Sequence, residues 1–279
     1  MAYRSILSIW DGKKSSLSSL RKAIELTSAS NGHLHVICPA YIRVPSHDGF
    51  PYSELPTSLS MSEREDALEK VDALGAGAKK ILEKEDVSYT VETAIMNRDQ
   101  LASFMSNAVK YCDLTVLPQP FGRDRCTADE KITEGTLFSS DCPILIVPEK
   151  VPDNNLRVLI AWDGGQESLR AVRSAMPFLR EAETVDALTI SSKKPDTKAK
   201  DIASDLAIFL SRHRVKSNIN VIPKKQPKIS ENIQTYAKDL DANLIVMGGY
   251  SHSPLREFFF GGPTRDMLNN CDVPILMAH

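Results

Sequence analysis

The chain writes the same strand pattern twice, and this repetition limits its fold more than any other feature. Residues 6–12 read ILSIWDG and residues 158–164 read VLIAWDG. DLTVL at 113–117 returns as NLIVM at 243–247, and DCPILIV at 141–147 as DVPILM at 272–277. The offsets are 152, 130 and 131, and the matches keep their order. Ordered self-similarity at this separation is the mark of a duplicated unit. The join falls near Glu149–Asn155, a polar, proline-containing linker, which divides the chain into 1–150 and 151–279. A chain of 279 residues is comfortable for two domains of this size.

The drop in offset places about 20 additional residues between the first and fourth strands of the first half. Tyr41–Ser60, with three prolines and many polar residues, is the candidate insertion. It reads as a surface loop, with a lid or partner-binding loop as the functional alternative.

Within each half, short apolar runs alternate with helical periodicity. The second half predicts strands near 157–161, 184–190, 218–223, 243–247 and 274–278; the first predicts them near 4–9, 33–38, 88–94, 113–117 and 143–147. Between them Leu169, Val172, Ala175, Met176 and Leu179 recur at helical spacing. So do Ile202, Leu206, Phe209 and Leu210, and a helix near 62–85 carries Leu68, Val71, Leu74, Ala78 and Ile81 on one face. This alternation predicts an α/β protein of two tandem Rossmann-like domains, each a five-stranded parallel sheet covered by helices on both faces. Ligands of such sheets sit at the C-terminal strand ends, where strand order reverses.

One stretch has the parts of an anion site. After NLIVM come Gly248 and Gly249, a polar loop, Gly261 and Gly262, and an amphipathic helix. A strand end, a glycine-rich loop and a helix N-terminus together present N–H groups and a positive dipole end to a phosphate. Gly262 suits the N-cap and Pro263 the first helical position. Pro263 removes one donor, and Thr264 offers a backbone N–H and a hydroxyl. His252, Arg256 and Arg265 are candidates to contact phosphate from the sides. In the first half, the residues opposite Gly261 and Gly262 are Glu130 and Lys131. A carboxylate there opposes phosphate, so one half is expected to bind and the other to scaffold.

Other chemistries find little support. Formal charge is −2, which gives no basic footprint for nucleic acid. No apolar run reaches membrane-spanning length and no signal-peptide pattern opens the sequence. The five scattered cysteines form no CxxC pair, so a reducing cytoplasm fits and a disulfide framework does not. His33 and His35 share a strand face and read as a surface pair rather than a metal site. His279 is expected to be exposed. Asp11 and Asp163 end strands at turns, which is itself a reason for Asp; a base or magnesium ligand is the alternative. Trp10 and Trp162 read as core anchors, with adenine stacking as the alternative. Phe258–Phe260 reads as a packed apolar cluster. No nucleophile elbow, Walker A or SGGxDS pattern occurs.

Taken together, these features resemble the universal stress protein family in its tandem form, over nearly the whole chain. The resemblance rests on Asp11-Gly12 and Asp163-Gly164 after the first strands, on the closing strands Cys142–Pro148 and Val273–Met277, and on the glycine pattern G-x2-G-x9-G-(S/T). The second half keeps that spacing, with Gly248 first, Ser251 in place of the second glycine, Gly261 last, and Gly262 where Ser or Thr is usual. The resemblance implies that Ala161, Trp162, Asp163, Ile190 and Met247 flank an adenosine. It implies that Gly248, Ser251, His252, Arg256, Gly261, Gly262, Pro263 and Thr264 hold the phosphates of ATP, with Mg²⁺ as a companion. It further implies that the closing strands of the halves pair within one chain, and it allows a protein partner or a homodimer. The expected role is a regulatory stress-response module with at most slow hydrolysis. The alternatives are a tandem protein acting without nucleotide, or an ATP-using enzyme of the wider adenine-nucleotide hydrolase-like fold.

Overall fold

A computed structural model describes residues 3–42, 61–97, 100–121, 127–139, 141–151, 155–191, 197–249, 262–270 and 272–279. The first half contains β1 (Ser5–Ile9), α1 (Lys14–Ser30), β2 (His33–Ile42), α2 (Met61–Leu82), β3 (Ser88–Asn97), α3 (Leu101–Ala108), β4 (Leu114–Pro118), α4 (Thr127–Ser139) and β5 (Ile144–Val147). The second contains β6 (Arg157–Ala161), α5 (Gln166–Ser174), α6 (Met176–Glu181), β7 (Thr184–Ser191), α7 (Thr197–Arg212), β8 (Asn218–Pro223), α8 (Ile229–Asp239), β9 (Leu244–Gly248), α9 (Pro263–Asn270) and β10 (Ile275–Ala278). Among the described residues no helix is long and apolar enough to cross a membrane.

The strands form one sheet in the order β3-β2-β1-β4-β5-β10-β9-β6-β7-β8. Each half contributes five strands in mutual parallel register, and β10 joins β5 antiparallel, with Leu276 opposite Leu145. The closing strands therefore meet within the chain, as the resemblance implies. Every residue of β5 and β10 is buried. Their mutual pairing removes two apolar edges that would otherwise invite association.

Strand alternation sorts the core into two layers. Ile6, Val116, Leu145, Leu276, Val246 and Ile160 face one side with α1, α2, α5 and α7. Leu7, Leu117, Ile146, Ile275, Ile245 and Leu159 face the other with α3, α4, α8 and α9. Both layers run through both halves. Tyr3 ties them on the first side: its hydroxyl donates to the Ser174 carbonyl at 2.6 Å and its ring lies 5.6 Å from Phe178.

Three local features depart from the sequence reading. β2 and β3 run further than expected, because they pair with each other as far as Ile42 and Asn97. The helix expected through Leu169–Leu179 is broken at Ala175 into α5 and α6; Pro177 has no N–H to continue the helical ladder. His35 has an acidic neighbour that local spacing does not show, since Glu92 on β3 lies 2.9 Å from its Nε2. His33 bonds Ser88 and Thr90 on the same strand, and no metal cluster forms among the described residues. Most of the expected insertion, 43–60, lies outside the described residues, as do Cys126, Cys271 and Phe258–Phe260.

Candidate functional site

In each half the strand order reverses beside the first strand, between β1 and β4 and between β6 and β9. The same turn follows both first strands. In the second half Gly164 takes φ +79°, and Asp163 Oδ1 accepts the Gly165 N–H at 2.8 Å. In the first Gly12 takes φ +82°, and Asp11 Oδ1 accepts the Lys13 N–H at 3.1 Å. An aspartate that closes a turn on the backbone two residues ahead, followed by glycine at positive φ, accounts for the Asp-Gly pair in both halves. Asp163 Oδ1 also accepts Ser168 Oγ at 2.6 Å, which ties the turn to the start of α5. Asp163 is nevertheless exposed.

Around the second crevice, β6 and β9 place Ala161 beside Met247. Ala161, Met247 and Ile190 pack on the layer that holds α8 and α9. Gly248 faces the opposite way. A Cβ there would stand 2.6 Å from the Ser168 nitrogen and 2.9 Å from the Glu167 carbonyl carbon, so only glycine lets α5 approach the strand end so closely. Gly262 takes φ +108°, and among the described residues nothing lies within 4 Å of where a Cβ would stand. Its carbonyl accepts the Asp266 N–H at 3.3 Å, so it is the N-cap and Pro263 the first helical residue, as the sequence predicts. Gly262 and Pro263 are exposed and Thr264 is buried. Ser251, His252, Arg256 and Gly261 lie outside the described residues.

Two candidates, and the C-terminal His279, are engaged elsewhere. Trp162 projects to the opposite layer, 9% exposed, and its indole N–H donates to the Ile202 carbonyl of α7 at 2.9 Å. The anchoring role is realised. Arg265 turns to the first half, its guanidinium 5.2 Å above the Phe121 ring, and its charge acts on Glu134 of α4. His279 is half-buried rather than exposed. It stands edge-on to Phe138 of α4 at 4.9 Å and bonds the Gly249 carbonyl at 3.0 Å through Nδ1. The antiparallel β5–β10 joint carries the end of β10 over to α4, a contact that sequence periodicity does not reveal.

The first-half crevice differs. It is a narrow cleft lined by Ile9, Asp11, Ser16, Pro118, Asp129 and Thr133. Lys13, the counterpart of Gly165, reaches Asp11 at 3.1 Å and Asp129 at 4.0 Å. Lys131, the counterpart of Gly262, is inside α4. Glu130 and Glu134 add negative charge. Desolvation, then Glu130, pushes the Glu134 carboxyl above its ordinary range, with Arg265 and Lys131 opposing.

Residues 154–279 match the Universal stress protein family. The second half is a universal stress protein domain. The fold extends over nearly the whole chain. A universal stress protein from Archaeoglobus fulgidus DSM 4304 aligns over 98% of this chain and 97% of its own, with TM-score 0.73 and 14% identity. A Pseudomonas aeruginosa UCBPP-PA14 protein, provisionally described as a universal stress protein, aligns over 99% and 92%, with TM-score 0.62 and 17% identity. A universal stress protein from Archaeoglobus fulgidus, solved in complex with dAMP, overlaps 44% of this chain and 95% of its own, with TM-score 0.35 and 19% identity. No curated protein matches the chain.

Proposed function

We propose that the universal stress protein domain of residues 151–279 binds ATP or a related adenine nucleotide, and that the chain is a cytoplasmic regulatory module rather than a dedicated enzyme. The observation that carries this reading is the exposed N-cap Gly262 at φ +108°, which starts α9 in the connection between β9 and β10. The dipole of α9 supplies partial positive charge there, and the lack of a side chain at Gly262 favours approach of an anion to its backbone. Ala161, Ile190 and Met247 offer an apolar border for a nucleoside. Asp163, exposed at the strand end, is the carboxylate that would meet a cation carried with the phosphates.

The residues fit such a ligand, with Pro263 costing one N–H donor. Ser168, which neighbours Asp163, is buried and donates to Asp163 and the Gly165 carbonyl. In this reading the work of these residues is to bind and orient the nucleotide.

Isothermal titration of the full chain with Mg·ATP tests the proposal. Wild type is expected to give saturable heat, and Gly262→Glu, which sets a carboxylate at the helix start, at least tenfold weaker binding. No heat with wild type, or equal heat with both proteins, contradicts it.

A further inference from the structure

One helix touches both crevices. The first turn of α4 carries Asp129, which with Thr133 walls the first-half cleft and lies 4.0 Å from the Lys13 ammonium. Its far end carries Leu137 and Phe138. Leu137 Cδ2 lies 2.9 Å from where a Cβ on Gly249 would stand, and Phe138 packs on His279, whose ring bonds the Gly249 carbonyl. Gly249 follows directly on Gly248, and its N–H donates to the Ala278 carbonyl at 2.9 Å. Phe138 lies nine residue steps along the helix from Asp129, a span of about 14 Å. Buried Ile132 and Leu137 hold α4 against the sheet between those two points. A second tie lies midway, where Arg265 of α9 faces Phe121 and Glu134.

We propose that α4 is a positioning element for the second-half nucleotide site, with Lys13 as its distal control. The ammonium holds Asp129 and Asp11 together and so fixes the first turn of α4. The packed helix fixes Leu137 and Phe138, and these set His279 and Gly249 at the exit of β9. The first half thus completes the nucleotide site of the second without touching the nucleotide. A packed helix shifts as a body rather than deforming, so a change at one end is felt at the other. Linkage requires that nucleotide act back on the Lys13 pair by the same factor.

This proposal rests on the nucleotide reading, so its test has one arm that uses no nucleotide. Lys13→Ala, Lys13→Arg and Asp129→Asn are prepared in the full chain, and amide hydrogen exchange is followed in 244–249 and 275–279, with 218–223 on β8 as internal reference. Lys13→Ala and Asp129→Asn are expected to speed exchange at 249 and 275–279 at least threefold while 218–223 stays unchanged, and Lys13→Arg to restore the wild-type rate. In the second arm, Lys13→Ala weakens Mg·ATP binding threefold or more and Lys13→Arg recovers it. Unchanged exchange at 249 and 275–279 in both charge-removing variants overturns the proposal whether or not ATP binds. Absence of ATP heat in wild type, with altered exchange in the variants, supports the coupling and removes the nucleotide reading alone. A uniform rise in exchange that includes 218–223 marks general destabilisation and counts against the proposal.

Discussion

The two strand-order reversals share a backbone plan and differ in what fills them. Both follow a buried strand, an Asp-Gly turn at φ near +80° and a helix. At the second, Gly165, Gly248 and Gly262 occupy the positions where the first has Lys13, Pro118 and Lys131. Three positions that carry side chains in the first half are thus bare in the second. Two of the first-half side chains carry charge, and Lys13 spends its charge on an internal pair with Asp11 and Asp129. The same duplicated frame carries glycines at these positions in one half and, in the other, a cleft latched by its own side chains. Glycine placement and charge decide between them; strand order does not.

The largest expected effect concerns the close approach at the second crevice. Gly248→Ala puts a Cβ 2.6 Å from a backbone nitrogen, which no side-chain motion relieves. It should cost about 1–3 kcal/mol of stability, whereas Pro118→Ala in the first half should cost less. Urea denaturation of the two variants measures this, and equal losses would break the asymmetry. Next, Gly262→Glu should weaken Mg·ATP at least tenfold, about 1.4 kcal/mol. The mirror change Lys131→Glu should leave affinity within twofold, and calorimetry reads both.

A smaller effect is expected at the anchors. Trp162→Phe loses the hydrogen bond to the Ile202 carbonyl, worth about 1 kcal/mol, and should lower the melting temperature with little change in ATP affinity. A large affinity loss would return Trp162 to the binding surface. The smallest effect is at the seam. The Glu134 carboxyl is raised by desolvation and by Glu130. The favourable contribution of its neutral form is full below the ordinary glutamate value and is lost as pH rises through the raised one. Glu134→Gln should therefore raise the melting temperature slightly at pH 7 and leave it unchanged near pH 4.

Much of the frame was legible in the sequence because strands and helices announce themselves by period. β6 and β8 fall on the expected residues, and the repeat placed equivalent elements in register. The break between α5 and α6 was also legible, in Pro177, but hydrophobic spacing runs through it without interruption. Long-range contacts were not legible. Gly248 reads as part of a phosphate loop, yet its immediate reason is the Ser168 backbone, 80 residues earlier. Arg265 reads as a phosphate ligand from its place in a helix start, and the fold turns it onto Phe121. His279 reads as exposed, and the antiparallel joint seats it on Phe138. Each of these depends on which element lies alongside, and local spacing carries no such information.

Nucleotide stoichiometry tests the central asymmetry most directly. Native mass spectrometry of the full chain with saturating Mg·ATP should show one nucleotide bound per chain, lost in Gly262→Glu and retained in Lys131→Glu. Two nucleotides per chain, none, or one that survives Gly262→Glu would contradict the account.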